Sequence, residues 1–177
     1  MLDAFANLRA WRPELKLLIA PRHPERSDAI ESLIEKRGFS CIRRSTFDGA
    51  QDGDVFLLDT IGELASTFEF ATVVFMGGSL VARGGHNILE PARYSKPVIF
   101  GPHMENFRDM AHAFLEENAA IQVASANELA NAVRRLLSDP TFAESLGQKA
   151  NAVALKKAGA TERAVALIRE KLLGPVK

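Results

Sequence analysis

Several things are scarce in this sequence, and each scarcity closes off a class of protein. There is a single cysteine, Cys41, so no disulfide can form within the chain and no cysteine cluster can hold zinc. It sits in an apolar stretch and is expected to be a buried, inert thiol of a reducing compartment. Charge of one sign is not in excess: Lys+Arg and Asp+Glu number 22 each, which leaves no broad basic surface for nucleic acid. No aromatic-rich basic strand suggests single-stranded nucleic acid either. No run approaches the ~18 apolar residues of a membrane-spanning helix. The start, MLDAFANLRAWRPELKLLIAP, is expected to be a short amphipathic helix entering a strand rather than a leader, like mid-protein sequence behind an initiator methionine. The four histidines (23, 86, 103, 112) lack HExxH spacing and cysteine partners, so no metal site is expected. No GxSxG elbow is present.

What is present is a rhythm. Short apolar runs alternate with amphipathic segments, the βαβα order of a parallel sheet covered on both faces. Strands are predicted at Leu15–Ala20, Phe39–Arg43, Asp54–Asp59, Thr72–Met76, Pro97–Phe100 and Ala120–Val123. Helices are predicted over Ser27–Arg37 with Gly38 as its C-cap, Thr60–Ala71, Asn87–Ser95, Asn106–Asn118 and Ser125–Ser138. The remainder to Leu173 reads as helical, with breaks near Pro140 and Gly159. The fold class is α/β: a Rossmann-like doubly wound parallel sheet of about six strands with a helical C-terminus, in one domain over residues 1–177. Ligands of such sheets collect beyond the carboxyl ends of the strands, so the loops there are where chemistry is sought.

The most informative loop is GGSLVARGGHNILEP, residues 77–91. Glycines let backbone N–H groups approach an anion closely, and a helix N-terminus adds partial positive charge. Gly77, Gly78, Ser79, Gly84, Gly85 and His86 are therefore candidates for binding a phosphate, with Arg83 as a further donor. Asn87 at the N-cap and Glu90 three residues on fit a capping box, which by itself explains both. A carboxylate there can equally accept two hydrogen bonds from a ribose diol. The spacing is neither GxGxxG nor the Gly-Lys-Ser/Thr of a P-loop. A second loop, Pro21–Arg26, is stiff and cationic, with Arg22 able to clamp a phosphate or carboxylate and His23 beside it; a solvated loop remains the alternative. In the third, Asp59–Leu64, a capping pair of Thr60 and Glu63 suffices, although the turn at Thr60–Gly62 can lend backbone groups to a base. The fourth, Gly101–Phe107, offers His103 and Asn106, of which the histidine can also be purely structural.

The stretches IAPRHPER (Ile19–Arg26), LLDTIGEL (Leu57–Leu64) and FMGGSLVARGGHNILEPARYSKPVIFGPHMENF (Phe75–Phe107) together resemble the C-terminal half of 3-deoxy-D-manno-octulosonic acid (Kdo) transferases. The likeness runs in order from about Leu15 to Asn118. It implies a GT-B glycosyltransferase adding Kdo to the lipid A precursor of lipopolysaccharide, on the cytoplasmic face of the inner membrane of Gram-negative bacteria. The donor would be CMP-Kdo, with no metal and no cofactor. On that likeness, Arg22 and the GGS and GGHN loops handle phosphate and the Kdo carboxylate, and Glu90 holds the ribose. The Thr60–Gly62 turn lies by the cytosine, and His103 and Asn106 line the sugar side. Such an enzyme carries an N-terminal acceptor-binding domain with the catalytic base, which is not expected among these residues; the chain alone should bind CMP-Kdo or CMP without transferring Kdo. A donor domain for a UDP-sugar transferase or epimerase, and a non-enzymatic nucleotide-binding module, stay open as alternatives at this point.

Overall fold

The apolar runs become six short parallel strands, and the amphipathic stretches become the helices between them. The computed structural model describes residues 1–173, with side chains to residue 158. The chain divides into two units, residues 1–70 with 125–134, and residues 71–124 with the segment from 135 onward.

The first unit opens with α1 (Leu2–Trp11), followed by β1 (Leu17–Ile19), α2 (Ser27–Lys36), β2 (Cys41–Arg43), β3 (Val55–Leu57) and α3 (Leu64–Thr67). Its sheet has the order β1-β3-β2, all parallel, with Leu17 and Cys41 both opposite Val55. The core is small and tight. Phe5 of α1, Ile34 of α2 and Val55 of β3 are buried together, with Leu17, Ile30 and Phe39 packed around them. Gly38 ends α2 as the sequence suggests: it takes φ +79, and its N–H returns to the Glu35 carbonyl at 2.8 Å.

The second unit contains β4 (Val74–Met76), α4 (Leu89–Arg93), β5 (Val98–Phe100), α5 (Arg108–Glu116) and β6 (Ile121–Gln122). The sheet order is β4-β5-β6, again parallel. Central β5 is buried along its whole length, and Ile88, Ala92, Phe114 and Ala150 are fully enclosed. Two further helices close the chain, α6 (Ala126–Ser138), which begins in the first unit, and α7 (Pro140–Leu173). Asn151 of α7 donates to the Ala92 and Arg93 carbonyls at 3.2 and 2.8 Å, at the end of α4, where the Ala92 carbonyl also accepts the Ser95 N–H at 2.9 Å.

Three expectations change. The six strands form two three-stranded ladders rather than one six-stranded sheet, because apolar periodicity marks strands but not their partners. The helix predicted from Thr60 starts only at Leu64. Gly62 takes φ +91 in the turn, and the Glu63 carboxylate bonds to the Thr60 hydroxyl and Arg44 instead of to backbone N–H groups. Past Pro140, α7 runs through Gly159 without the expected break.

Candidate functional site

In the second unit, Met76 and Phe100 are paired, so the loops after β4 and β5 leave the sheet side by side. They are bonded to one another. Ser79, fully buried, donates its hydroxyl to the Met76 carbonyl at 2.5 Å and accepts from the Gly101 N–H at 2.7 Å. The His103 N–H donates to the Ser79 carbonyl at 2.9 Å, and the Asn106 N–H to the Gly84 carbonyl at 3.1 Å. Within the first loop, the Gly85 N–H closes onto the Gly78 carbonyl at 3.1 Å.

Glycine is required where the two loops meet. Gly84 has φ +82, and a Cβ there would run into the Asn106 carboxamide. Gly78 and Gly85 also lie in the left-handed region, and the His86 ring reaches within 3.4 Å of where a Gly78 Cβ would stand. Gly77 carries no such constraint, and the space beside it is open.

The next turn differs from the expected capping box. Asn87 accepts from the Leu89 N–H at 3.1 Å, a local Asx turn, and Ile88 takes the N-cap position. The Asn87 amide donates to the Glu90 carboxylate at 3.2 Å. Glu90 is thus oriented by a side chain, half-buried, one turn beyond the glycines. Because α4 has only five residues, its dipole supplies less than the sequence suggests. In the adjacent loop, His103 Nδ1 lies 3.1 Å from Glu105 Oε1. The Glu105 carboxyl is held below its ordinary range by its own backbone N–H and by His103.

In the first unit, the loops after β1 and β3 are neighbours, since the Leu58 N–H donates to the Ile19 carbonyl at 2.8 Å. Arg22 and His23 are exposed after β1, and His23 lies 3.1 Å from Glu25. Thr60 and Gly62 belong to the β3 exit turn, whose tip, Ile61, is 88% exposed. That turn is braced on both sides. On one, Asp59, with a side chain only 3% exposed, accepts from Arg43 at 2.8 Å and from the Ser45 N–H and hydroxyl at 2.8 and 2.6 Å. Burial pushes the Asp59 carboxyl up, but the Ser45 and Arg43 hydrogen bonds outweigh it and bring the pKa down to about 2. On the other, Glu63 bonds to Thr60 and to Arg44, which hold it below the ordinary carboxylate range.

The structure therefore gathers Gly78, Gly84, Gly85, His86, Asn87, Glu90, His103 and Asn106 at one end of the β4-β5 pair. The Ser79 hydroxyl is enclosed and engaged as both donor and acceptor, so this side chain supports the loop from within. Sequence reading missed the Arg43–Asp59–Ser45 brace; the signal was an Arg-Arg-Ser exit beside a strand ending in Asp, legible only once β2 and β3 are known to pair. Cys41 proves half-buried, with its thiol pushed up to about 11 by burial and by Glu31 and Glu35. Among the described residues, no three of His, Cys, Asp and Glu gather as a metal site requires. No helix among them is long and apolar enough to cross a membrane.

Parallel strands alternating with helices, with the conspicuous loops at strand carboxyl ends, make a Rossmann-like α/β fold, the type that the C-terminal domain of a GT-B glycosyltransferase takes. The crystal structure of the C-terminal CMP-Kdo binding domain of WaaA from Acinetobacter baumannii superposes with TM-score 0.79 at 32% identity, covering 86% of this chain and 80% of that one. The 3-deoxy-D-manno-octulosonic acid transferase of Haemophilus influenzae is 37% identical over 174 residues, 97% of this chain and 41% of that protein. Its Bordetella pertussis counterpart is 33% identical over 176 residues, with the same shares covered. No family model matches the sequence. The chain belongs to the Kdo transferase family, and it spans 41% of the length of these two relatives.

Proposed function

We propose that this chain is the donor-binding part of a Kdo transferase and that its ligand is CMP-Kdo. The observation that carries this is the likeness to the Acinetobacter baumannii domain, which is a CMP-Kdo binding domain. The loop chemistry supports it. Backbone N–H groups of the glycine loop suit phosphate oxygens, apart from that of Gly85, which closes onto the Gly78 carbonyl, and the Glu90 carboxylate, steadied by Asn87, suits a ribose diol. His103 and Asn106 stand in the adjoining loop for the acidic sugar. Arg22, His23, Thr60 and Gly62 are proposed as donor contacts on the family likeness, each testable on its own loop. The donor is a substrate, and no metal or other cofactor is part of the proposal.

Transfer requires a base to deprotonate the acceptor hydroxyl. We assign that base, and the site for the lipid A precursor, to an N-terminal acceptor-binding domain of the full enzyme. Its place of work is then the cytoplasmic face of the inner membrane. By itself the 177-residue chain binds donor nucleotide and does not transfer Kdo. The relatives above bear the transferase name, and nothing in them favours a UDP-sugar enzyme or a non-enzymatic module.

The test is calorimetric titration of CMP into the wild type and Glu90→Ala. Losing hydrogen bonds to a charged group costs about 1–3 kcal/mol, so affinity should fall roughly 5- to 150-fold. Unchanged affinity with a lowered melting temperature would make Glu90 a structural residue and remove the ribose assignment.

A further inference from the structure

We propose that Ser79 is a positioning residue whose buried hydroxyl latches the loop after β4 to the loop after β5, so that the two respond to a nucleotide as one body. This rests on the donor-binding role proposed above. Bonds that cross between the loops include Gly101 N–H to Ser79 Oγ, His103 N–H to the Ser79 carbonyl, and Asn106 N–H to the Gly84 carbonyl. The first is made by a side chain; the other two are main-chain bonds. The latch therefore lies within reach of a point substitution at Ser79.

The hydroxyl is engaged both as donor and as acceptor. Its proton goes to the Met76 carbonyl at the end of β4, and its oxygen accepts from Gly101 at the end of β5. One atom thus fixes both strand exits relative to each other. Gly101 is pressed so closely to Ser79 that a Cβ there would collide with the Ser79 carbonyl. The latch is buried, with Ser79 0% exposed and Gly101 enclosed, so water cannot replace the lost partner in a variant. Downstream, one loop carries Gly84 to Glu90 and the other carries His103 and Asn106. Asn106 fills the space over Gly84, so a shift of either loop displaces the groups of both.

Ser79→Ala, with Ser79→Cys as the nearly isosteric variant that keeps a weak donor and acceptor, tests this. Amide hydrogen exchange is followed across residues 77–90 and 101–107, and CMP affinity is measured by calorimetry. Leu136→Ala, a buried substitution elsewhere in the second unit whose stability loss is measured alongside that of Ser79→Ala, is the control. The expectation for Ser79→Ala is faster exchange in both loops together and a roughly tenfold loss of CMP affinity. Ser79→Cys should fall between it and the wild type, and Leu136→Ala should leave loop exchange and affinity close to wild type. Wild-type exchange in the 101–107 loop of Ser79→Ala, or losses matched by Leu136→Ala, would overturn the latch. If the wild type itself does not bind CMP, the donor-binding proposal fails, while the exchange data still decide whether the loops are coupled.

Discussion

Replacing Asp59 by Asn should destabilise the protein in a way that depends on pH. In the folded chain the Asp59 carboxyl falls from 3.8 to about 2, its charge held by Arg43 and Ser45. A tenfold change in proton affinity corresponds to about 1.4 kcal/mol, so the charged form contributes about 2 kcal/mol to stability. With the side chain 3% exposed, solvent screening takes little away. Because the folded value is depressed, this contribution is complete above the unfolded value of 3.8 and is lost as pH falls through about 2. Asn keeps the shape but never the charge. Urea unfolding of both proteins should therefore show a gap of about 2 kcal/mol that is constant from about pH 7 to 5 and shrinks below about pH 4. Asp54, Glu63 and Glu105, whose carboxyls are also lowered, occur in both proteins and cancel in the difference. A gap that stays constant down to about pH 2 would refute the brace as an electrostatic device.

Other outcomes follow from particular contacts. Gly84→Ala places a Cβ against Asn106 at φ +82 and should cost about 1–2 kcal/mol in urea unfolding, together with a loss of CMP affinity; wild-type values for both would show that the loops do not need this approach. Arg22→Ala should weaken CMP binding more at low salt than at high salt, and a salt-independent loss would argue against a phosphate contact. Cys41, with its thiol pushed up to about 11, should react with iodoacetamide at about pH 8 far more slowly than a free peptide thiol; equal rates would contradict its surroundings.

Most of the fold was legible because its signals are local. The apolar runs at Leu17–Ile19 and Val98–Phe100 mark buried strands, and Gly38 marks the end of α2 by a conformation that other residues enter at a cost. Strand partners were not legible, since Val55 looks the same whether one neighbour or two flank it. Within the candidate site, Gly84 and Gly85 stood out by type, and Asn87 with Glu90 by spacing. The part of Ser79 did not, because its partner Gly101 lies 22 residues away and is met only through the pairing of β4 with β5. Thr60 and Glu63 show the opposite error: a local capping pattern was present, but Arg44 and a left-handed Gly62 diverted the carboxylate.

The central claim is that these loops bind the nucleotide of CMP-Kdo. Its most direct test is parallel calorimetric titration of the 177-residue chain with CMP and with UMP. Saturable binding of CMP with clear preference over UMP is the predicted result. Equal affinity for the two, or heat from neither while the chain remains folded, would contradict the claim.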